Sequence, residues 1–410
     1  MTDPAPALPP GVSVDVVWEP HRKCPSCLAR GVRTFFNIED IPVHSTLRMR
    51  TRAEAIDSPR GNLTLGFCPA CGFVFNTRFD PDAQTYSEQC EESQGFSPTF
   101  NAFARSLAAQ LIEKHALRGK TILEIGCGKG EFLALLCQLG GNRGIGIDPA
   151  YRPDRTPPEA ADRVTFIQDL YGPKHAHLAA DFVACRHTLE HIGPTGRFVQ
   201  DIRATLDDGS ETTVWFELPD VYRVLCEGAF SDLYYEHCAY FSLGSLARLF
   251  RQAGFDVVDI ESVYDNQYLL ITARPAPGPT QASLPAENDL PAMTRAIEQF
   301  PRICAERLSG WRRFVTEAAH RGEKVVVWGS LSKGVSFLTT LKLVDEVEYV
   351  VDINPHRQGF YMPGTGQRIV PPEHLAGYQP HYVIAMNPIY RKEIQADLDR
   401  LGVRAELHTV

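Results

Sequence analysis

Three groups of residues in this chain have the types and spacing to do chemistry. The first is a pair of knuckles, Cys24-Pro-Ser-Cys27 and Cys68-Pro-Ala-Cys71, each presenting two thiolates from one tight turn. Two such knuckles complete a tetrahedral shell for zinc, whereas a redox C-x-x-C needs no second copy. Four protein ligands leave no open position, so the metal is expected to be structural. His21 and His44 lie nearby but read as ordinary surface histidines, because thiolates already fill the shell. The second group is the two stretches Arg186-His187-Thr-Leu-Glu190-His191 and Tyr234-Tyr-Glu236-His237. Histidine moves protons near neutral pH, and tyrosine can donate to a developing oxyanion. Neither stretch reads as a metal site, since adjacent Glu236 and His237 would not share a ligand face. The third group is Glu124-Ile-Gly126-Cys127-Gly128-Lys-Gly130, a glycine turn behind a carboxylate.

The elements around that turn define its use. Thr121 to Ile125 is a short apolar run of the kind a parallel sheet buries on both faces. The glycines allow close approach of a ligand, and Phe132 to Cys137 continues as a helix whose free amides face the loop. The next strand ends in Asp148, 22 residues after Gly126, where an acid grips ribose hydroxyls. Strand, turn, helix and acid suit either NAD or S-adenosylmethionine. The spelling E-x-G-C-G-x-G, with Glu124 inside the strand, favours the methyl donor, whose cationic head can use Glu124. Glu124–Gly130 with Asp148 resembles the class I methyltransferase signature.

Further strands follow at 164–168, 181–185 and 213–218, and a closing antiparallel pair at 257–260 and 267–272. Asp169 stands where a carboxylate would meet the adenine amino group. The fold class predicted is α/β, a doubly wound sheet of about seven strands, with ligands at the carboxyl ends. The segment from Phe73 to Phe100 is rich in aromatic and polar residues, and reads either as a lid placing Tyr86 or Phe96 on the donor, or as a packed connection. Ser97-Pro98 fits a helix start. Beyond a Pro- and Gly-rich stretch at 275–280, Lys324 to Gly334 repeats the strand–turn–helix logic, with Asp352 ending the next strand. Read alone, this is a small Rossmann-like unit that could hold NAD, with Lys333 either at its ligand or a solvated surface lysine.

At 410 residues the chain has room for two or three domains. Its net charge of −9 argues against a general nucleic-acid binder. No apolar run is long enough for a membrane span, and the N-terminus lacks the basic start and apolar block of a signal peptide. An odd count of 11 cysteines favours reduced thiols and a cytoplasmic setting.

The front C-x-x-C pairs, the glycine loop, L-x-H after strand four and Y-x-E-H after strand five, in this order, resemble the zinc-containing sugar C-methyltransferases that act on nucleotide-linked keto-deoxysugars. The resemblance runs from about Cys24 to the C-terminus. It implies S-adenosylmethionine as donor, a zinc-binding N-terminal module, a class I methyltransferase core and a smaller Rossmann-like C-terminal domain. The expected division is a flexible tail (1–20), a zinc domain with lid (21–95), a methyltransferase domain (96–275), a linker (276–290) and a substrate-binding domain (291–410). The mechanism implied is base-generated enolate attack on the sulfonium methyl. His237 is the expected base, Tyr234 the donor to the enolate oxygen, Glu236 the group orienting His237 or a sugar hydroxyl, and His191 the group contacting the acceptor or relaying the proton. His187, Lys333 and Asn387 are expected on the acceptor. Two departures from the family, Tyr264-Asp-Asn-Gln-Tyr-Leu269 and Met386-Asn387-Pro388-Ile-Tyr390, fall where the acceptor is recognised. An O- or N-methyltransferase of another small molecule, a nucleic-acid methyltransferase and a non-catalytic ligand-binding scaffold stay open, as does the choice between monomer and dimer.

Overall fold

The computed structural model describes residues 8–84, 89–156, 162–207, 210–276 and 282–410. Their strands form three sheets. The central one has seven strands in the order Phe255–Val263, Tyr268–Pro275, Thr213–Pro219, Phe182–Arg186, Thr121–Ile125, Arg143–Ile147, Val164–Ile167, with Tyr268–Pro275 antiparallel to both neighbours. Apolar, β-branched strands separated by helices close only this way, with right-handed crossovers on both faces. The order reverses between Thr121–Ile125 and Phe182–Arg186, so a crevice opens at their carboxyl ends. This is the doubly wound fold class expected. No helix among the described residues is long and apolar enough to cross a membrane.

The C-terminal sheet is wholly parallel, in the order Arg368–Val370, Tyr349–Val351, Val325–Trp328, Tyr382–Ala385, Glu406–Thr409. It too reverses beside its first strand, and that crevice faces the first one. The N-terminal sheet is antiparallel and includes the 13-residue strand Arg30–Pro42. Of the expected flexible tail, 1–7 lie outside the described residues, whereas Val12–Ser13 and Val17–Lys23 are strands paired to Arg30–Pro42. Part of the expected linker, 277–281, also lies outside them.

The units share their interior. The two-residue strand Ala239–Tyr240, from the methyltransferase part, pairs with Val74–Asn76 and finishes the N-terminal sheet. The long helix Leu290–His320 sets Phe300 edge-on against Phe35 and Phe36, at centroid distances of 5.7 and 5.3 Å. One apolar cluster therefore runs from the N-terminal sheet into the C-terminal one.

A buried cation fixes the three parts to each other. Arg357, 1% exposed, donates Nε to Ser330 Oγ at 2.6 Å and Nη2 to the Ser330 carbonyl at 2.9 Å. Its Nη1 donates at 3.0 Å to the carbonyls of both Thr46 and Glu91. Replacing Arg357 by leucine strands several buried acceptors, and each orphaned group costs about 1–3 kcal/mol. Arg357→Leu is expected to lower stability by about 3–5 kcal/mol, read from a denaturant midpoint. An unchanged midpoint would contradict the bridging role.

Candidate active site

A cavity of about 500 Å³ lies where the two parallel sheets present their carboxyl ends, and the N-terminal part walls it in. One end is built by the glycine loop. Gly126 has φ +71°, and a Cβ there would lie 1.9 Å from Thr188 Oγ1, so only glycine fits. Gly130 has φ +80° and caps the helix Glu131–Gly140, with Phe166 against it. Gly128 N donates to Asp148 Oδ2 at 2.8 Å, and Ala150 N to Oδ1 at 2.7 Å. Asp148 is thus fixed at the strand end beside the loop, its acidity reduced by burial. Cys127 packs its thiol against Gly146. Glu124 lines the cavity at 2% exposure with Oε2 unbonded, and burial pushes its carboxyl up to about 8. An orphaned buried carboxylate behind a glycine cradle fits a ligand that brings a cationic head.

The polar segment before the first helix crosses this loop. Buried Lys129 donates Nζ to Glu92 at 2.8 Å and to the Cys90 carbonyl at 3.1 Å, while Ser93 bonds Glu131 at 2.7 Å. Glu91 is pinned between Arg155 (2.5 Å) and Asn354 (3.0 Å). Burial alone would raise Glu91; these two partners outweigh it and hold its carboxyl low. The segment is both a cover for the loop and a packed connection. Phe96 lines the cavity but turns its ring toward His356. Tyr86 lies outside the described residues. Sequence reading missed Glu92 and Lys129, whose only signal was the polarity of the segment.

At the other end, Tyr234 Oη lies 2.9 Å from His237 Nε2, and the His191 ring stands edge-on to His237 at 4.8 Å. His191 Nδ1 bonds the Glu236 carbonyl at 2.9 Å. Burial holds His237 far below the usual histidine range and Tyr234 far above the usual tyrosine range. The imidazole is neutral and the phenol keeps its proton.

Several expected placements change. Glu236 does not face His237: it accepts from Ser45 and, at 3.4 Å, from Thr46, and lies 3.7 Å from His44 Nδ1. His44 is therefore no surface histidine but 7% exposed behind the site, while His21 is exposed as expected. Asp169 turns from the cavity to pair with Lys174 at 2.5 Å and His175 at 3.5 Å. Lys333 is no solvated lysine: it pairs with Asp232 at 2.7 Å and reaches Gln267 at 3.4 Å. His187, in a left-handed turn at φ +46°, sits between Glu190 (3.5 Å) and Glu217 (3.6 Å). The histidine stretches, which read as lacking a metal-ligand pattern, do bring Glu190, His191 and His237 within 4.8 Å of one another.

The two departures from the family pattern meet in space. Gln267 and Asn387 exchange paired carboxamide bonds of 3.1 and 2.7 Å, and Tyr264 Oη donates to Tyr390 Oη at 3.0 Å. Tyr264, Asp265 and Asn266 form a run of left-handed residues that turns Gln267 toward the C-terminal sheet. Both carboxamides line the cavity.

Away from the cavity, the four cysteines of the two knuckles gather with all sulfurs within 4.8 Å. Cys24–Cys71 and Cys27–Cys68 are each 3.7 Å apart. A tetrahedron with ~2.3 Å metal–sulfur bonds has edges of ~3.8 Å, so the donor set and spacing fit zinc.

Residues 100–260 match a family model described as a methyltransferase domain, and residues 283–405 one described as the C-methyltransferase C-terminal domain. The C-methyltransferase NovU of Streptomyces niveus is 28% identical over 308 residues, covering 71% of this chain and 72% of NovU. Among solved structures, an O-methyltransferase family protein of Burkholderia thailandensis is 17% identical over 44% of this chain, with a TM-score of 0.34; the match spans 59% of that protein. Magnesium protoporphyrin IX methyltransferase of Synechocystis, solved with bound SAH, is 16% identical over 43% of this chain and 84% of its own, with a TM-score of 0.33. The chain thus carries a methyltransferase domain followed by a C-methyltransferase C-terminal domain, and is an S-adenosylmethionine-dependent methyltransferase.

Proposed function

We propose that this enzyme methylates a carbon next to a ketone on a nucleotide-linked keto-deoxysugar. The observation that carries the reading is the pairing of half-buried Tyr234 with buried His237 at the acceptor end of a cavity whose other end is the glycine loop. When bound, the donor supplies an electrophilic methyl on a sulfonium. The chain supplies the rest. His237, neutral and dry, removes the proton α to the ketone; Tyr234, still protonated, donates to the oxygen as it becomes an enolate. His191, locked through Nδ1 to the Glu236 carbonyl, keeps the His237 ring in place and contacts the acceptor. O- or N-methylation needs positioning and a weak base, and makes no use of an oxyanion donor paired to a buried imidazole.

The donor end uses Glu124 for the cationic head, Gly126, Cys127, Gly128 and Gly130 for close approach, and Asp148 for the ribose. The acceptor's phosphates and hydroxyls fall to Lys333, Gln267 and Asn387, with His187 behind them. The support for a nucleotide sugar is the resemblance of motif order across the chain, together with a lysine and two carboxamides at this end. Glu236 then holds the N-terminal part against the site and does not orient the base. The four cysteines would hold one structural zinc, Cys24 and Cys27 from one knuckle, Cys68 and Cys71 from the other.

Three outcomes follow. His237→Ala should lose ~10²–10⁴-fold in turnover while keeping donor affinity. In D₂O without donor, the wild type should exchange the substrate's α-proton and the variant should not; full activity in His237→Ala would contradict the role. Second, the donor's ammonium must displace the proton that burial leaves on Glu124 up to about pH 8. Donor affinity should therefore rise by up to ~10-fold per pH unit toward pH 8 and level off above it, and Glu124→Gln should flatten the slope in calorimetry. Third, metal analysis should return one zinc per chain, and Cys68→Ser should lose it together with several degrees of thermal midpoint.

A further inference from the structure

A neutral imidazole in a dry pocket is a poor base unless something offsets the charge it acquires, since burying an unpaired cation costs several kcal/mol. Glu236, the carboxylate beside His237 in sequence, is spent on Ser45, Thr46 and His44. Among the described residues another carboxylate stands at the pair. Glu190 is 2% exposed, lines the cavity, and neither carboxylate oxygen has a hydrogen-bond partner. One of its oxygens lies within 4.8 Å of nitrogens of both His191 and His237. Its backbone is locked to the same place, because the Glu190 carbonyl accepts from Cys238 N at 2.9 Å.

We propose that Glu190 is the positioning residue that stabilises the imidazolium formed when His237 takes the acceptor's proton. Behind Glu190 stands a group of paired charges. His187 stands 3.5 Å away and is shared with Glu217, which Arg186 also pairs. Burial would lower His187, but the two carboxylates outweigh it and hold it at about 9, so it stays cationic at neutral pH. That cation balances Glu217 and Glu190 from the rear at ion-pair distance without filling the hydrogen-bonding capacity of Glu190. Of the other carboxylates lining this end of the cavity, Glu236 is bonded to Ser45 and Asp232 is paired with Lys333 and Arg223, so the compensating negative charge falls to Glu190. In the step itself the α C–H bond breaks, its electron pair becomes the enolate held by Tyr234, and the proton passes to His237 beside Glu190, from which it exchanges with solvent.

This inference rests on the enolate reading, and one experiment separates the two. Wild type, Glu190→Gln and Glu190→Asp are compared for α-proton exchange in D₂O with acceptor alone, for kcat and KM, and for donor affinity. The expected result is a ~10²–10³-fold fall in both exchange and kcat for Glu190→Gln, with KM and donor affinity within about threefold of wild type and partial recovery in Glu190→Asp. Exchange at the wild-type rate in Glu190→Gln overturns the proposal. So does loss of donor affinity and thermal midpoint in parallel with activity, which marks a structural role. Wild-type turnover is also measured with and without added Mn²⁺ or Zn²⁺; a stimulation that Glu190→Gln abolishes makes Glu190 a metal ligand and overturns the proposal as well. No exchange by the wild type sinks the enolate reading itself.

Discussion

A guanidinium without water must find acceptors on every side, and Arg357 finds them on three separate parts of the chain. The catalytic cavity depends on that demand. The two parallel sheets each end in a crevice, and neither crevice alone encloses a reaction. Held face to face, with Thr46 and Glu91 drawn in from the N-terminal part, they make one chamber with the glycine loop at one end and the tyrosine–histidine pair at the other. Glu91 repeats the device with Arg155 and Asn354, tying the segment over the loop to both sheets. Buried polar bonds of this kind add little net stability but tolerate few alternative arrangements.

The same dryness sets the chemistry. It keeps a proton on Glu124 until a cation arrives, leaves His237 neutral and keeps Tyr234 protonated. The proposed general base and oxyanion donor are therefore in the protonation states that the proposal needs before an acceptor enters. The charges that would otherwise be intolerable are grouped in compensating sets, Arg186 and His187 with Glu217 and Glu190, Lys333 with Asp232. What remains unpaired is what a donor and an acceptor would complete.

Much of this was legible in the sequence where the physics is local. The glycine loop is readable because its backbone conformation admits no side chain, and Ser97-Pro98 because a hydroxyl caps the helix it starts, accepting from Phe100 N. The cysteine knuckles carry their own geometry in their spacing. What could not be read is what only tertiary packing decides. Glu236 finds Ser45 191 positions away, and Gln267 finds Asn387 120 positions away. Asp169 has the right place on its strand but is captured by Lys174 and His175. His44 looked superficial because nothing in its neighbourhood foretold burial behind Glu236. The two stretches that depart from the family turned out to be one structural unit, joined by the Gln267–Asn387 and Tyr264–Tyr390 bonds.

The central claim is that the methyl group lands on carbon. Donor carrying a ¹³C-labelled methyl, incubated with the enzyme and a nucleotide-linked keto-deoxysugar, yields a product whose label can be located by NMR. The account predicts a methyl resonance coupled to a ring carbon adjacent to the former ketone, with one proton lost from that carbon. A label in the chemical-shift range of a methyl ether or N-methyl group would contradict it.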